Sequence, residues 1–154
     1  MGSGRSNVEV VGRVYALVAD YLNGRADGIE EEISSVLSQE LVLTPSSALS
    51  SGSIGPYRGL DGFMEWLDAV REQWASFEMQ ADEYIEAHPD AVVMLGRNVA
   101  SRPGEQGYAV AVGHVWRFRD GLVTAITAFE SQAKALEEVG LGPEELARGR
   151  PREP

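Results

Sequence analysis

The chain contains no cysteine in its 154 residues. That excludes disulfides, thiol nucleophiles and cysteine metal sites, and it suits a reducing cytoplasmic location. Histidine is nearly as scarce. His88 and His114 stand far apart and no His-rich spacing occurs, so no metal site is expected. Basic residues are few: 13 Lys and Arg face 24 Asp and Glu, a formal net charge of −11. A surface of that sign repels phosphate backbones. Arg97 and Arg102 are isolated and "ARGRPREP" is only a short tail, so no nucleic-acid partner is expected. No Gly-rich loop joins a strand to a helix, which leaves nucleotide cofactors unsupported. No apolar run approaches the ~18 residues of a membrane helix. The opening "MGSGRSN" has no apolar core of the signal-peptide kind and reads as a flexible leader over residues 1–6.

What is present is ordinary for one globular domain, with 44% hydrophobic and 24% charged residues. The domain is expected over residues 7–141, with a Pro- and charge-rich tail over 142–154. Ser6 and Glu9 have the spacing of a capping box at a helix start. Val8, Val11, Tyr15, Val18 and Leu22 form one apolar stripe of that helix. Val10, Val14, Leu17 and Tyr21 form a second beside it. Gly24 is placed to end it. Asp27 and Glu30 suggest a second cap, followed by Ile29, Ile33, Val36 and Leu37 as a buried side. "ELVLTP" reads as a strand, and "SSALSSGSIGPYRG" as a loop long enough to cover an opening. A third helix is predicted from about Leu60 to Trp74, with Phe63, Leu67, Val70 and Trp74 as its stripe.

The period then changes. "FEMQADEYIEA", "AVVMLGRNVAS", "GYAVAVGHVWRFR" and "LVTAITAFE" read as four strands separated by turn signals. Ser131 caps a last helix, "QAKALEEV", which Gly140 ends. The order predicts an α+β fold with a mostly antiparallel sheet and helices on one face. Asp120-Gly121 is a strong two-residue hairpin signal. Taken strictly, it pairs Phe118 with Val123, Trp116 with Ala125, His114 with Thr127 and Val112 with Phe129. His114, Trp116, Phe118, Thr127 and Phe129 then share an inward face. The other face carries Val115, Arg117, Arg119, Ile126 and Ala128, and suits packing on a partner subunit. A bulge would shift these pairs.

"GHVWRFRDGLVTAITAFESQAKALEEVGL" resembles the hairpin and closing helix of the SnoaL-like branch of the NTF2-like superfamily. "YRGLDGFMEWL" resembles its opening of the third helix, and "YLNGRADGI" its first interhelical turn. The resemblance covers roughly residues 7–141. It implies an NTF2-like cone, in which a bent sheet wraps a long first helix and leaves a cavity at the open end. It also implies a homodimer through the outer sheet face. Relatives include ketosteroid isomerases, polyketide cyclases, limonene epoxide hydrolases and scytalone dehydratases. Matched to the isomerases, Leu17 falls at the tyrosine, Thr44 at the base and His114 at the protonated acid. Neither leucine nor threonine can do those jobs, so that mechanism is not expected. The Asp-Arg-Asp set of limonene epoxide hydrolase has no counterpart on the inward face.

His114 is left as the candidate acid/base, since a histidine near its ordinary pKa shuttles protons well. Its other reading is a core histidine bonded to Thr127, Tyr57 or a backbone carbonyl. Tyr15, Thr44, Tyr57, Phe63, Trp66, Trp116, Thr127 and Phe129 are the candidate ligand contacts, with Trp74 a further member of an aromatic box. Each has a packing role as its alternative. Arg97 is either inward or a structural ion pair, and Glu83 and Glu130 belong at the rim. The implied function is a small-molecule pocket protein for an apolar ligand, acting, where it is an enzyme, without cofactor as isomerase, cyclase, hydrolase or dehydratase. The alternative is a non-catalytic ligand-binding or dimeric interaction module.

Overall fold

A computed structural model describes residues 6–25, 28–45, 56–73, 76–101, 103–104 and 106–142. Trp74, Asp27, the 46–55 loop and the tail from 143 lie outside the described residues. Helix α1 spans Asn7–Leu22. The Ser6 hydroxyl accepts from the Glu9 amide while the Glu9 carboxylate accepts from the Ser6 amide, closing the capping box. Both apolar stripes are used, for Val10, Val11, Val14, Tyr15, Leu17 and Val18 are all buried. The chain leaves the helix through Gly24 at φ +89°, a conformation that suits glycine. Helix α2 is short, Ile29–Ser34, with Gly28 as its N-cap. It ends before Leu37, which instead begins strand β1 (Leu37–Thr44). A two-residue strand β2 (Tyr57–Arg58) pairs with β1 and has too little pattern to read from sequence. Helix α3 (Gly59–Gln73) follows, then β3 (Ser76–His88), β4 (Ala91–Ser101), β5 (Tyr108–Arg119), β6 (Leu122–Phe129) and α4 (Gln132–Glu138).

The six strands form one curled, unclosed sheet in the order β2-β1-β6-β5-β4-β3. Among the described strands only β1 and β6 run parallel. The α+β expectation holds, with the sheet bent around α1. Register irregularities in the β3–β4, β1–β6 and β5–β6 pairs supply bending points, since an extra residue in one strand raises local twist. The main core lies inside the curl. It joins Val11, Val14 and Val18 of α1 to Leu41 and Leu43, Val92 and Met94, and Val112 and Trp116.

The β5–β6 hairpin corrects the predicted register. Asp120 (φ +55°) and Gly121 (φ +80°) make the turn as expected, and Phe118 does face Val123. Beyond that, β6 holds one extra residue. Arg117 pairs with Ala125, Trp116 with Ile126, His114 with Ala128 and Gly113 with Phe129. The Thr124 hydroxyl donates to the Arg117 carbonyl at 3.3 Å within the bulge. A one-residue slip exchanges the two faces of a strand. Ile126 and Ala128 therefore face inward, while Thr127 and Phe129 face outward.

The expectation that all helices lie on one face is also corrected. Helix α4 packs on the outer face, where Ala135 and Leu136 meet Val93, Leu95, Val115 and Phe129 in a second small core. Gly113 permits that approach: a Cβ there would stand 2.5 Å from the Ala135 Cβ. Part of the face predicted to meet a partner subunit is thus covered by the chain itself. Gly113→Ala should cost about 1–3 kcal/mol through overpacking. Urea unfolding should show Ala135→Gly recovering part of that loss in the double variant, and simple additivity of the two losses would refute the contact.

Candidate functional site

At the mouth of the curl, α1, α3, β1 and β3–β6 surround a cavity. Val14, Tyr15 and Val18 come from one face of α1, with Phe63 and Trp66 from α3. Leu43 and Pro45 close one side, and Phe77, Met79 and Asn98 the other. His114, Trp116, Ile126 and Ala128 form the sheet wall. The space between these side chains, counted out into the open solvent at the mouth, is about 590 Å³. Among the described residues the lining carries no Lys, Arg, Asp or Glu.

Its polar groups are ordered by one hydroxyl. The Trp116 indole N–H donates to Tyr15 Oη at 2.9 Å, and Tyr15 Oη stands 2.6 Å from His114 Nδ1. A buried hydroxyl receiving two N–H groups would have no acceptor for its own proton. Tyr15 therefore donates to Nδ1, and the imidazole proton sits on Nε2. The rings support the same arrangement: Tyr15 lies edge-on to Trp116 at 5.3 Å and stacked with His114 at 5.9 Å between centroids. Burial lowers the His114 pKa to about 4 and pushes that of Tyr15 well above its ordinary value. Both groups are neutral near pH 7, where roughly one His114 in a thousand is protonated at such a pKa.

Asn98 is the remaining polar group on the wall. It is 6% exposed, and its Oδ1 is buried without a hydrogen-bond partner among the described residues. It is not among the expected contacts because Arg97, read as a candidate inward residue of the same strand, would turn Asn98 outward. Alternation along β4 gives the signal, since Val92, Met94 and Asn98 share a face, the first two already in the inner core.

Of the predicted contacts, Tyr15, Phe63, Trp66, His114 and Trp116 are brought together here. Thr127 and Phe129 are not: the bulge turns both outward, and Phe129 packs on the second core. Thr44 pairs with Thr127 on β6, and it is its neighbours Leu43 and Pro45 that reach the cavity. Tyr57 is 8% exposed in the main core and sits beside Gly62, where a Cβ would lie 2.9 Å from its backbone. His114 is bonded to none of Thr127, Tyr57 or a backbone carbonyl, but to Tyr15. Leu17, which the isomerase match put at the tyrosine, is buried in the core two residues further along α1. Arg97 is not inward: it is exposed and pairs with Asp82 at 3.2 Å, so the ion pair it makes lies on the surface and not in a buried site. Glu83 is half-buried on β3 and Glu130 is exposed after β6. No group of three His, Cys, Asp or Glu side chains suited to a metal occurs among the described residues. No helix among them is long and apolar enough to cross a membrane.

A family model described as SnoaL-like domain matches residues 18–126. The chain belongs to the SnoaL-like family. Solved structures agree on the fold. An NTF2-like protein of unknown function from Burkholderia pseudomallei K96243 is 19% identical, with a TM-score of 0.66 over 87% of this chain and 97% of that one. A putative SnoaL-like polyketide cyclase from Jannaschia sp. CCS1 is also 19% identical, with a TM-score of 0.62 over 83% and 90%. A protein with a ketosteroid isomerase-like fold from Catenulispora acidiphila DSM 44928, in complex with trimethylamine, is 13% identical, with a TM-score of 0.59 over 85% and 95%. A comparison with curated proteins gave no match. The family supports a fold of the small-molecule-binding or cyclase and isomerase type.

Two predictions follow from the Tyr15 hydroxyl and the imidazole it holds. Tyr15→Phe orphans both the Trp116 N–H and His114 Nδ1, and each orphan should cost about 1–3 kcal/mol in chemical denaturation. The second concerns pH. The folded His114 pKa lies below its unfolded value near 6.5, so the unfolded chain takes up the proton first. The stability tied to the neutral ring is intact above pH 6.5 and is lost as pH falls toward 4, to a total of about 3 kcal/mol. His114→Gln keeps an acceptor for Tyr15 and does not titrate. Its unfolding free energy should fall less steeply than wild type across that window, and parallel profiles would refute the assignment.

Proposed function

We propose that the chain binds a neutral, apolar, ring-framed small molecule in this cavity, with His114 presenting Nε2–H to an acceptor oxygen. The observation that carries the reading is the polarity of the lining. Apolar side chains surround a few hydrogen-bonding groups, as in small-molecule sites generally, and none of the lining residues is charged near pH 7. The complex of a similar fold with trimethylamine is in keeping with small-molecule binding.

Chemistry, where it occurs, is cofactor-free and proceeds by polarising the bound oxygen. An imidazole with a pKa of about 4 is a weak base, and its charged form is too rare to be the acid at pH 7. This departs from a histidine proton shuttle and keeps His114 as a hydrogen-bond donor. We further propose that two copies pair through the part of the outer sheet face beyond α4, in a cytoplasmic setting. Light scattering at micromolar concentration should then give twice the 16.7 kDa chain mass, and the single-chain mass would exclude the pair.

The probe for the cavity is 1-tetralone, a neutral bicyclic ketone, followed by tryptophan fluorescence because Trp66 and Trp116 line the wall. Saturable quenching is expected, with affinity about five- to tenfold weaker in His114→Leu, the size of one hydrogen bond. Absence of saturable binding to the folded protein would overturn the reading.

A further inference from the structure

Asn98 lines the cavity from β4 and is almost fully buried. Its Oδ1 is buried and has no partner among the described residues, whereas His114 Nδ1, Tyr15 Oη and the Trp116 N–H on the same lining are satisfied by one another. Buried polar atoms left unpaired are rare and costly. The side chain comes from a strand whose inward positions are otherwise apolar, and leucine would fill such a place without that cost. The torsion carrying the carboxamide is broad, so either end can be turned to the cavity.

The placement also sets a length. Met94 pairs with His114 and Asn98 with Val110, so the two polar residues stand four rungs apart on adjacent strands. At about 3.3 Å per residue that is roughly 13 Å along the sheet between backbones. Both side chains line the same cavity, so a ligand joining them need span less than that, a length in the range of a small fused-ring frame. We propose that Asn98 is a specificity-determining residue that anchors a hydroxyl of the ligand, at the opposite end of a fused-ring frame from the oxygen held by His114. A hydroxyl suits a carboxamide because it can donate to Oδ1 and accept from Nδ2. A carboxylate does not suit it, since no lining side chain would balance its charge.

This rests on the small-molecule reading above, and the test separates the two. Calorimetry at pH 6.5 compares 6-hydroxy-1-tetralone with 6-methyl-1-tetralone, which has the same shape and no hydrogen-bonding group at that end. Wild type should bind the hydroxy compound about tenfold more tightly. Asn98→Leu should erase that preference while binding the methyl compound at least as well as wild type does. The ligand-free Asn98→Leu protein should melt at the same temperature or higher, an outcome that a structural role for the carboxamide would not give. Equal binding of the two compounds by wild type, or a preference that survives in Asn98→Leu, overturns the Asn98 assignment alone. A variant that melts several degrees lower or fails to fold overturns it too, because the carboxamide then serves the fold. Failure of both tetralones to bind the wild-type protein overturns the assignment and the small-molecule reading together.

Discussion

The Tyr15 hydroxyl joins the two halves of this molecule. It is the point at which α1, packed inside the curl, is tied by directional bonds to β5 on the wall. Hydrophobic burial holds the helix in the sheet but does not fix its rotation or its axial position. A hydroxyl that must accept from one ring and donate to another does so, because displacing it by an ångström strands three polar atoms in a low-dielectric interior. The same bond decides which imidazole nitrogen carries the proton, and hence what the cavity can offer a ligand. Fold and site thus depend on one oxygen.

That bond also explains why a histidine in this cavity is a poor proton shuttle. A carboxylate in place of Tyr15 would favour the imidazolium and raise the pKa. The tyrosine does not. As a donor to Nδ1 it favours the neutral ring, and burial pushes in the same direction. Scarcity of charge therefore extends from the lining to the groups that hold the lining in place. A neutral donor next to an apolar wall stabilises a developing partial charge on a ligand oxygen without itself changing protonation.

Much of this was legible in the sequence. Capping at Ser6, the two stripes of α1, the Asp120-Gly121 turn and the run of late strands each rest on a local rule of chain geometry, and each appears in the structure. The hairpin shows where such rules stop. Alternation propagates from the turn only while every residue is paired. One unpaired Thr124 reverses the face of everything after it on β6, so Thr127 and Phe129 exchanged places with Ile126 and Ala128. Nothing in "LVTAITAF" marks the bulge, because threonine and alanine suit either face of a half-buried strand. Helix α4 escaped for a related reason. Its apolar side is two residues wide, and only the facing glycine at 113 shows which surface it can approach.

Tyr15 was expected at the cavity, but its bond to His114 escaped because helical periodicity assigns a face but not a partner. Tyr15 sits in a stripe of valines, where its ring is as well explained by packing as by a bond. Asn98 is the opposite case: a side chain that no packing rule favours at its position. Where local preference, burial and hydrogen bonding agree, as at Val92 and Met94, a residue is accounted for by the fold. Where they conflict and the conflict lies on a cavity wall, the residue is a candidate for contact with a ligand, as proposed for Asn98. That asymmetry, between a hydroxyl bonded on both sides and a carboxamide oxygen with no partner among the described residues, separates the part of the wall that holds the molecule together from the part proposed to meet a ligand.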